Sequence, residues 1–277
     1  MQRTVTEVLQ ARSLIDDGDM HLRRALPLEE RTALGPFVFI DHYRHHSRRG
    51  IGDQPHPHAG IEVISYLLEG GVEHRDSMGF RDRLGPGDAQ FIRAGRGMLH
   101  AEQPLSGRHG LQLWVSLPPE LKLVEPTYTS LPAAEIPEIA GECSRLHVVA
   151  GRVSGVQGPM GLSGGAVFAR LRLDPGAAQV LTVDAEVELG VYVLQGQVRV
   201  GGTSLATGAL GLLGSGAEVA ITAEGDDTVE VALLGGGPVQ GEVLFAGPFV
   251  MDTPERLAQA KRDFAAGRMG RLEGVPF

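Results

Sequence analysis

The stretch that decides the fold reads PHPHAGIEVISYLLEGGVEHRDSMGFRDRLGPGDAQFIRAGRGMLHAE and occupies residues 55–102. Its two ends carry histidines: His56 and His58 stand at the beginning, and His100 stands at the end with Glu102. Between them lie two short runs rich in apolar and β-branched residues, separated by glycine-rich segments, a pattern typical of strands and turns. The pattern predicts a β-structure whose turns bring the two histidine-bearing ends together.

These two ends have the spacing of metal ligands. Side chains two residues apart in a strand share a face, so His56 points with His58, and His100 points with Glu102. Two neighbouring strands that carry such pairs can surround one point with three imidazole nitrogens and a carboxylate oxygen. That donor set suits a divalent first-row metal with an open position. Surface turn histidines are the usual explanation of a single His-x-His, but two same-face pairs favour the metal site.

Other polar residues near these pairs have less certain roles. By strand parity Glu62 faces inward with His58, either as a fifth ligand or as a carboxylate that orients an imidazole N–H. His74 has no same-face partner of similar type, so a structural role is favoured over ligation. His45 and His46 lie in a basic loop and are most simply explained as solvated side chains at the rim of a pocket.

The composition indicates a globular β-protein with frequent turns. Of the 277 residues 42% are hydrophobic, and 39 glycines and 17 prolines favour short strands over long helices. A net charge of -9 argues against non-specific nucleic-acid binding, which needs a basic surface. No apolar run approaches the ~18 residues of a membrane span, and the first residues lack the apolar core of an export signal. The single cysteine, Cys143, fits a reducing, cytoplasmic location.

The chain is predicted to form two domains. Residues 118–141 carry five prolines, as expected of a connection between domains, and a second series of short strand-like runs follows. We therefore predict an N-terminal domain at residues 1–135 and a C-terminal domain at residues 136–277. The second domain is expected to end in a helix at about residues 254–266, because Thr253 is a good N-cap.

An internal repeat relates the two domains. GVYVLQG at residues 190–196 resembles SYLLEG at residues 65–70, and the alignment extends to both sides. At or near the four candidate ligand positions the second copy has Thr182, Asp184, Ile221 and Ala223. The second copy thus keeps the scaffold and lacks the ligands, so only the first domain is predicted to bind metal.

Five motifs are spread over most of the chain. They are GPF at residues 35–37 with Asp41, HPHAGIEVISYLLEGGVEHRDSMG at 56–79, GDAQFIRAGRGMLHAEQP at 87–104, GLQLW at 110–114 and GPFVMDTPERLAQA at 247–260. In this order they resemble the pirin family of bicupins, which includes bacterial quercetin 2,3-dioxygenases. The sequence departs from the general cupin pattern at Arg93-Ala94-Gly95, where Pro-x-Gly is usual, and the pirins share this departure.

The resemblance implies a fold and a metal site. The fold is an all-β bicupin: two antiparallel β-barrels of the double-stranded β-helix (jelly-roll) type, packed together, with a short C-terminal helix. One divalent metal ion would lie in the N-terminal barrel alone, on His56, His58, His100 and Glu102, with Glu62 in a supporting position. Iron is the usual metal of this family, although nickel, manganese, cobalt, copper or zinc suit the same donors.

The resemblance also implies a reaction: a dioxygenase that opens the heterocycle of a flavonol such as quercetin and releases carbon monoxide. Glu102 would ligate the metal or take the substrate proton as a general base, and Phe91, Met98 and Trp114 are candidates for pocket walls. Some pirins are regulators, so the alternative is a non-catalytic metal- or redox-sensing protein that binds a transcription factor or a metabolic enzyme. A third option is another cupin reaction on a small oxygenated metabolite.

Overall fold

The computed structural model describes residues 1–273, and the regular structure of this part is almost entirely β. The strands of the first half are β1 (Val5–Gln10), β2 (Arg12–Asp16), β3 (Met20–Leu26), β4 (Phe37–His45), β5 (His56–His58), β6 (Ile61–Asp76), β7 (Arg81–Leu84), β8 (Ala89–Arg93), β9 (Met98–Ser116) and β10 (Thr127–Leu131). Short 3-10 helices lie at Pro119–Leu121, Ala133–Glu135 and Ser163–Gly165.

The second half continues in the same way and ends in an α-helix. Its strands are β11 (Glu138–Ala140), β12 (Ser144–Ala150), β13 (Arg152–Val153), β14 (Val156–Gln157), β15 (Val167–Leu173), β16 (Ala178–Thr182), β17 (Glu188–Gln195), β18 (Gln197–Val200), β19 (Thr203–Ala206), β20 (Ala209–Leu213), β21 (Glu218–Glu224), β22 (Val229–Gly236), β23 (Leu244–Ala246) and β24 (Phe249–Met251). The helix α1 spans Pro254–Ala265. The predicted all-β chain with a short C-terminal helix is confirmed.

The chain forms two compact units, each built from three segments. The histidine-rich unit comprises residues 13–23, 38–133 and the segment from residue 239 onward. The histidine-poor unit comprises residues 1–12, 24–37 and 134–238. The histidine-poor unit contains His147 alone among the ten histidines of the sequence. Any site built from several histidines therefore belongs to the histidine-rich unit.

The units differ from the expected domains at both ends of the chain. The break between residues 133 and 134 lies close to the predicted boundary at 135. However, residues 1–12 belong to the same unit as residues 134–238, and the segment from residue 239 onward belongs to the same unit as residues 38–133, so the two terminal segments are exchanged. Strand pairing explains the exchange. β1 pairs antiparallel with β20 and so belongs to the histidine-poor unit. At the other end Phe249 forms a parallel bridge with Ala59, which places β24 in the histidine-rich unit.

A nine-stranded sheet frames the histidine-rich unit. Its order is β10-β8-β6-β9-β4-β3-β2, with β5 paired to β9 and β7 paired to β6. β6 and β9 run antiparallel over most of their length, so that His74 lies opposite Glu102. β5 pairs with the start of β9, where His56 lies opposite His100. Residues 61–68 at the start of β6 are all buried, which explains why this run is almost continuously apolar.

The histidine-poor unit has an apolar interior. It contains a seven-stranded sheet, β1-β20-β17-β22-β15-β12-β11, and a four-stranded sheet, β16-β21-β18-β19. Their buried side chains form one hydrophobic cluster, to which Val191, Val231 and Leu233 belong. Ile221 and Ala223, which the repeat aligns near two of the candidate metal ligands, are buried in that cluster. Packing residues thus occupy positions that carry ligand-type side chains in the other copy.

The helix α1 begins where the sequence predicted. The Thr253 side chain accepts a hydrogen bond from the backbone N–H of Arg256 at 3.2 Å, which caps the first turn. The helix buries Ala260 in a small apolar cluster with Ala59 and Met251 of the histidine-rich unit. No helix of residues 1–273 is both long enough and apolar enough to cross a membrane.

A buried lysine fixes the segment that follows the His-Pro-His motif. The Nζ of Lys122 donates to the carbonyl oxygens of Gly60 at 2.9 Å and Val250 at 3.0 Å, and to the hydroxyl of Ser116 at 2.9 Å. Burial lowers the pKa of Lys122 to about 8. With three acceptors the ammonium group is compensated, so Lys122 holds β24 against the chain just beyond β5.

Candidate metal centre

Three histidines converge where β5 lies beside the start of β9. One ring nitrogen from each of His56, His58 and His100 lies within 4.8 Å of the other two. The ring centroids of His56 and His100 are 4.3 Å apart, and those of His58 and His100 are 4.9 Å apart. We call these residues the three-histidine group. It contains three of the four ligands that the sequence predicted.

The nitrogens of this group have the character of unused ligands. Neither ring nitrogen of His58 or His100 makes a hydrogen bond of normal geometry within the described residues, although these residues are only 2% and 0% exposed. His56 is less buried, and its Nδ1 lies 2.9 Å from the carbonyl oxygen of Gln54. Buried polar atoms without partners cost free energy, and coordination to a metal would remove that cost. The group therefore fits a divalent metal ion.

Burial also keeps these side chains in the form that binds metal. Desolvation lowers the pKa of His58 and of His100 well below 6.5. Repulsion between rings that would be protonated together lowers both further, while a backbone hydrogen bond with Pro248 opposes the shift at His58 only in part. Desolvation lowers the pKa of His56 as well. Only neutral imidazole has a free lone pair for a metal, so the group is ready to ligate at neutral pH.

Glu102, the fourth predicted ligand, lies in a neighbouring group of its own. Its carboxylate is brought together with His74 and His100, with ligand atoms again within 4.8 Å of one another. His100 Nδ1 lies 3.6 Å from Glu102 Oε1, so His100 belongs to both groups. His74 also contacts Asp76, with Nε2 3.2 Å from Oδ2, and its ring stacks on Tyr128 at a centroid distance of 4.5 Å.

Three donors hold the Glu102 carboxylate. Oε1 accepts hydrogen bonds from the Ser65 hydroxyl at 3.1 Å and from the Gln90 amide, and Oε2 accepts one from Arg108 Nη1 at 2.7 Å. Burial alone would raise the pKa of Glu102, but the charge and hydrogen bond of Arg108, together with the nearby His74 and His56, outweigh burial and lower the pKa. Glu102 is therefore an oriented anion at neutral pH. None of these three donors is among the site residues predicted from the sequence.

Glu62 and Phe91 lie beside Arg93 rather than in either ligand group. The Glu62 carboxylate is fully buried and accepts a hydrogen bond from Arg93 Nε at 3.0 Å. The Arg93 guanidinium lies 5.7 Å from the centroid of the Phe91 ring. The buried charge of Glu62 is thus compensated by an ion pair, and its parity with His58 does not bring it into a ligand group.

Trp114 and Met98 lie against the three-histidine group. The Trp114 ring makes an edge contact with His58 at a centroid distance of 5.1 Å and stacks on Phe39 at 3.9 Å. Met98 is fully buried and lies opposite His58 in the pairing of β5 with β9. The edge contact with Trp114 helps to position the His58 ring.

His45 differs from its expected role as a solvated rim residue. It is only 2% exposed, whereas its neighbour His46 is exposed. Its Nδ1 accepts a hydrogen bond from Arg108 Nε at 3.3 Å, and burial lowers the pKa of His45 to about 4. Alternating charge in the loop predicted solvent exposure, but the long strand β4 continues to His45 and carries it into the interior.

Comparison with known proteins identifies the family. A family model described as Pirin matches residues 19–115, and one described as the pirin C-terminal cupin domain matches residues 168–270. Human Pirin is 33% identical over 275 residues, which cover 97% of this chain and 94% of the human protein. This chain belongs to the pirin family. The pirin resemblance of the five motifs is therefore confirmed.

Solved structures extend the comparison to the fold. Quercetin 2,3-dioxygenase from Acinetobacter baumannii is 27% identical and superposes with a TM-score of 0.87, covering 98% of this chain and 99% of that one. The bacterial pirin YhhW of Escherichia coli in complex with nickel(II) is 22% identical, with a TM-score of 0.64 over 84% of this chain and 100% of that one. The pirin-family chain thus has two cupin domains of antiparallel sheets and a C-terminal helix.

The lowered histidine pKa values predict how metal affinity depends on pH. Three imidazoles of ordinary pKa would each be half protonated at pH 6.5, which would weaken metal binding about eightfold there. In this chain the pKa values of the three histidines are lowered, so protons compete with the metal only at lower pH. The dissociation constant for cobalt(II), measured by equilibrium dialysis, is expected to stay constant as the pH falls to 6.5 and to rise below it. An eightfold rise already at pH 6.5 would contradict this expectation.

Proposed function

We propose that this pirin-family chain is a metal-dependent dioxygenase that opens the heterocycle of a flavonol such as quercetin and releases carbon monoxide. The three-histidine group carries the proposal, because its nitrogens converge on one point and the buried, neutral rings of His58 and His100 make no hydrogen bond of normal geometry within the described residues. Similarity to a structure named quercetin 2,3-dioxygenase over 98% of the chain supports the choice of substrate. A fold alone does not determine a reaction, so the donor set rather than the fold is the main argument.

The proposed ligands are the ring nitrogens of His56, His58 and His100 and the carboxylate of Glu102. We propose iron as the metal, and nickel, manganese, cobalt, copper and zinc suit the same nitrogen and oxygen donors. When bound, a divalent ion supplies a Lewis acid that lowers the pKa of the flavonol 3-hydroxyl. Three histidines leave coordination positions free for that hydroxyl.

In this proposal the chain itself supplies a general base and the apolar wall of the substrate pocket. Glu102 is held as an anion and takes the proton of the substrate hydroxyl. The hydrogen bonds from Ser65 and Gln90 to its Oε1 orient the carboxylate for that transfer. Trp114 and Met98, which pack beside His58, and the partly exposed Phe91 are proposed to contact the flat aromatic rings.

The proposal is tested by turnover. Protein loaded with iron is expected to consume quercetin under air, with one molecule of carbon monoxide released for each quercetin lost. Loss of quercetin is followed by its visible absorbance, and carbon monoxide is trapped and quantified with reduced haemoglobin. Metal-free protein is the control, and protein reloaded with each candidate ion identifies the metal. If no ion supports both signals, the chain does not cleave flavonols.

A second candidate function is a metal- or redox-sensing protein that binds a transcription factor or a metabolic enzyme. The burial of the site favours it, since His58, His100 and Glu102 are each at most 2% exposed. A cytoplasmic location belongs to both proposals, supported by the unpaired and exposed Cys143. A metal-loaded chain without quercetin turnover that holds a protein partner only in its metal-bound form would favour the sensor.

A further inference from the structure

A row of three side chains crosses the sheet beside the proposed metal ligands. In the antiparallel pairing of β9, β6 and β7, Glu102 lies opposite His74, and His74 lies opposite Asp82. Residues directly opposite each other in antiparallel strands have their side chains on the same face. The fully buried ring of His74 lies 5.6 Å from the ring of His100, measured between centroids. His74 therefore lies beside two proposed ligands, and Asp82 lies on the side of His74 away from Glu102.

Tyr128 contacts the outer end of this row. Its ring stacks on the ring of His74 at a centroid distance of 4.5 Å, with 16° between the two planes. Its hydroxyl donates a hydrogen bond to Asp82 Oδ2 at 2.8 Å. The ring of Phe80, which is 46% exposed, lies 5.2 Å from the ring of Tyr128. A continuous series of ring contacts thus leads from the buried ligand His100 through His74 and Tyr128 to the surface.

Tyr128 has the environment that a tyrosine needs in order to give up an electron. One-electron oxidation makes a phenol strongly acidic, so its hydroxyl proton must pass to a base within hydrogen-bond reach. Asp82 is such a base, because its carboxylate already accepts the hydrogen bond of the Tyr128 hydroxyl. Burial, together with the hydrogen bond and charge of Asp82, raises the pKa of Tyr128, so the phenol keeps its proton at neutral pH until it is oxidised.

Tyr43 lacks such a base, although it also lies in the histidine-rich unit. Its ring is 4% exposed, and the Arg108 guanidinium lies 4.7 Å from the ring centroid, where its positive charge opposes the loss of an electron. The Tyr43 hydroxyl has no hydrogen-bond partner within the described residues. Tyr128, by contrast, combines a carboxylate acceptor with a ring contact that leads to the ligands.

We propose that Tyr128 is an electron donor to the metal centre when the iron(II)-loaded chain meets hydrogen peroxide. The O–O bond of the peroxide breaks and takes up two electrons, one from iron(II) and one from Tyr128 through the ring of His74. The phenolic proton passes to Asp82, which releases it to one of the two hydroxides formed. The products are iron(III), the phenoxyl radical of Tyr128, one hydroxide and one water, so atoms and charge balance.

This inference rests on the proposed metal centre and adds electron transfer to it. Tyr128 is partly exposed, whereas His58 and His100 are buried. The radical therefore forms toward the surface, and the second oxidising equivalent of the peroxide is carried away from the ligand rings. In a dioxygenase this transfer protects the ligands from oxidation, and in a redox sensor it makes the oxidised state detectable at the surface.

The inference is tested by electron paramagnetic resonance of iron(II)-loaded protein that is mixed with hydrogen peroxide in the absence of oxygen and rapidly frozen. Wild type should show the signal of a tyrosyl radical together with that of iron(III). Tyr128→Phe keeps the ring stack but lacks the hydroxyl, so it should form iron(III) without the radical. Tyr43→Phe is the matched control and should keep the radical. A radical that persists in Tyr128→Phe would overturn the inference.

Two further variants test the route of the electron and of the proton. His74→Leu removes the ring between His100 and Tyr128, and Asp82→Asn keeps a hydrogen-bond acceptor that cannot take up a proton. Both should lower the radical yield, and Asp82→Glu should restore it. If His74 and Asp82 were merely structural, their variants would change the melting temperature and leave the radical yield unchanged, which would contradict the proposed transfer.

Iron content, measured in every protein before peroxide is added, separates this inference from the metal centre. Radical yields are compared per bound iron, so a variant with weaker iron binding remains informative. Wild-type protein that binds no iron would refute the metal centre and this inference together. Wild-type protein that binds iron and forms iron(III) without a radical would refute this inference alone.

Discussion

Replacing His58 by alanine is expected to abolish metal binding. His58 contributes one of three convergent nitrogens, and it is buried with a pKa well below 6.5, so it offers a lone pair at neutral pH. Loss of partners that only orient a ligand costs about 10–100-fold in affinity, and loss of the ligand itself should exceed about 100-fold. The measurement is metal content after equilibrium dialysis against cobalt(II), together with the dissociation constant.

The matched variant is His74→Ala. His74 is also a buried histidine of the histidine-rich unit, and it belongs to the second ligand group with His100 and Glu102. If the metal lies in the three-histidine group, His74→Ala keeps stoichiometric cobalt(II) and His58→Ala loses it. The reverse result would place the metal with His74. Retention by both single variants would rule out both assignments. Melting temperatures of the two variants show whether each is folded.

Strand parity explains why the three histidines of the candidate metal centre could be predicted from the sequence. The pair His56 and His58 stands two residues apart, and a strand turns such a pair to one face whatever its neighbours are. His100 was predicted to meet them, and the register of β5 with β9 places it directly opposite His56. Period-two spacing, clustered histidines and glycine-rich turns are local features of the sequence. Their structural meaning does not depend on long-range contacts, so they could be interpreted before the fold was known.

The environment of Glu102 was not accessible in the same way. Arg108 reaches the carboxylate from the same strand, six positions along, past a register shift in the pairing of β6 with β9. A strand with an irregularity no longer follows simple parity, so spacing could not predict this contact. Ser65 and Gln90 did leave a signal, since each is a polar residue within an apolar strand, and they lie opposite each other in β6 and β8.

Long-range pairing decided the arrangement of the chain ends. The sequence located a connection near residue 135, but it carried no marker that β1 pairs with β20 rather than with a strand of its own half. The same holds for β24, which lies beside Ala59 through backbone hydrogen bonding. Pairing of this kind uses the backbone groups of unpaired edge strands, and the pattern of side chains in the sequence does not indicate which edge strand will be the partner. In the structure, Lys122 donates hydrogen bonds to the carbonyl oxygens of both Gly60 and Val250 and so holds β24 beside the segment that follows β5.

Substitution of Glu102 by glutamine is expected to lower kcat for quercetin by about 100- to 10,000-fold, the usual range for loss of a general base. Glutamine keeps the size of the side chain and can still accept a hydrogen bond from Arg108, but it cannot take a proton. The three histidines remain in this variant, so it is loaded with metal at a saturating concentration before kcat is measured. Full kcat in a metal-loaded Glu102→Gln variant would exclude Glu102 as the base.

The matched control is Glu230→Gln in the histidine-poor unit. Glu230 also lies in a strand and pairs with an arginine, with Arg170 Nη2 2.7 Å from Oε1, the same distance as in the pair of Arg108 and Glu102. The Glu230→Gln variant breaks an ion pair of the same kind away from the metal centre, and its kcat for quercetin should equal that of the wild type. Equal losses in the two variants would mean that the ion pair stabilises the fold and that Glu102 plays no part in proton transfer. Loss of activity together with loss of bound metal in Glu102→Gln would instead show that Glu102 acts mainly as a metal ligand.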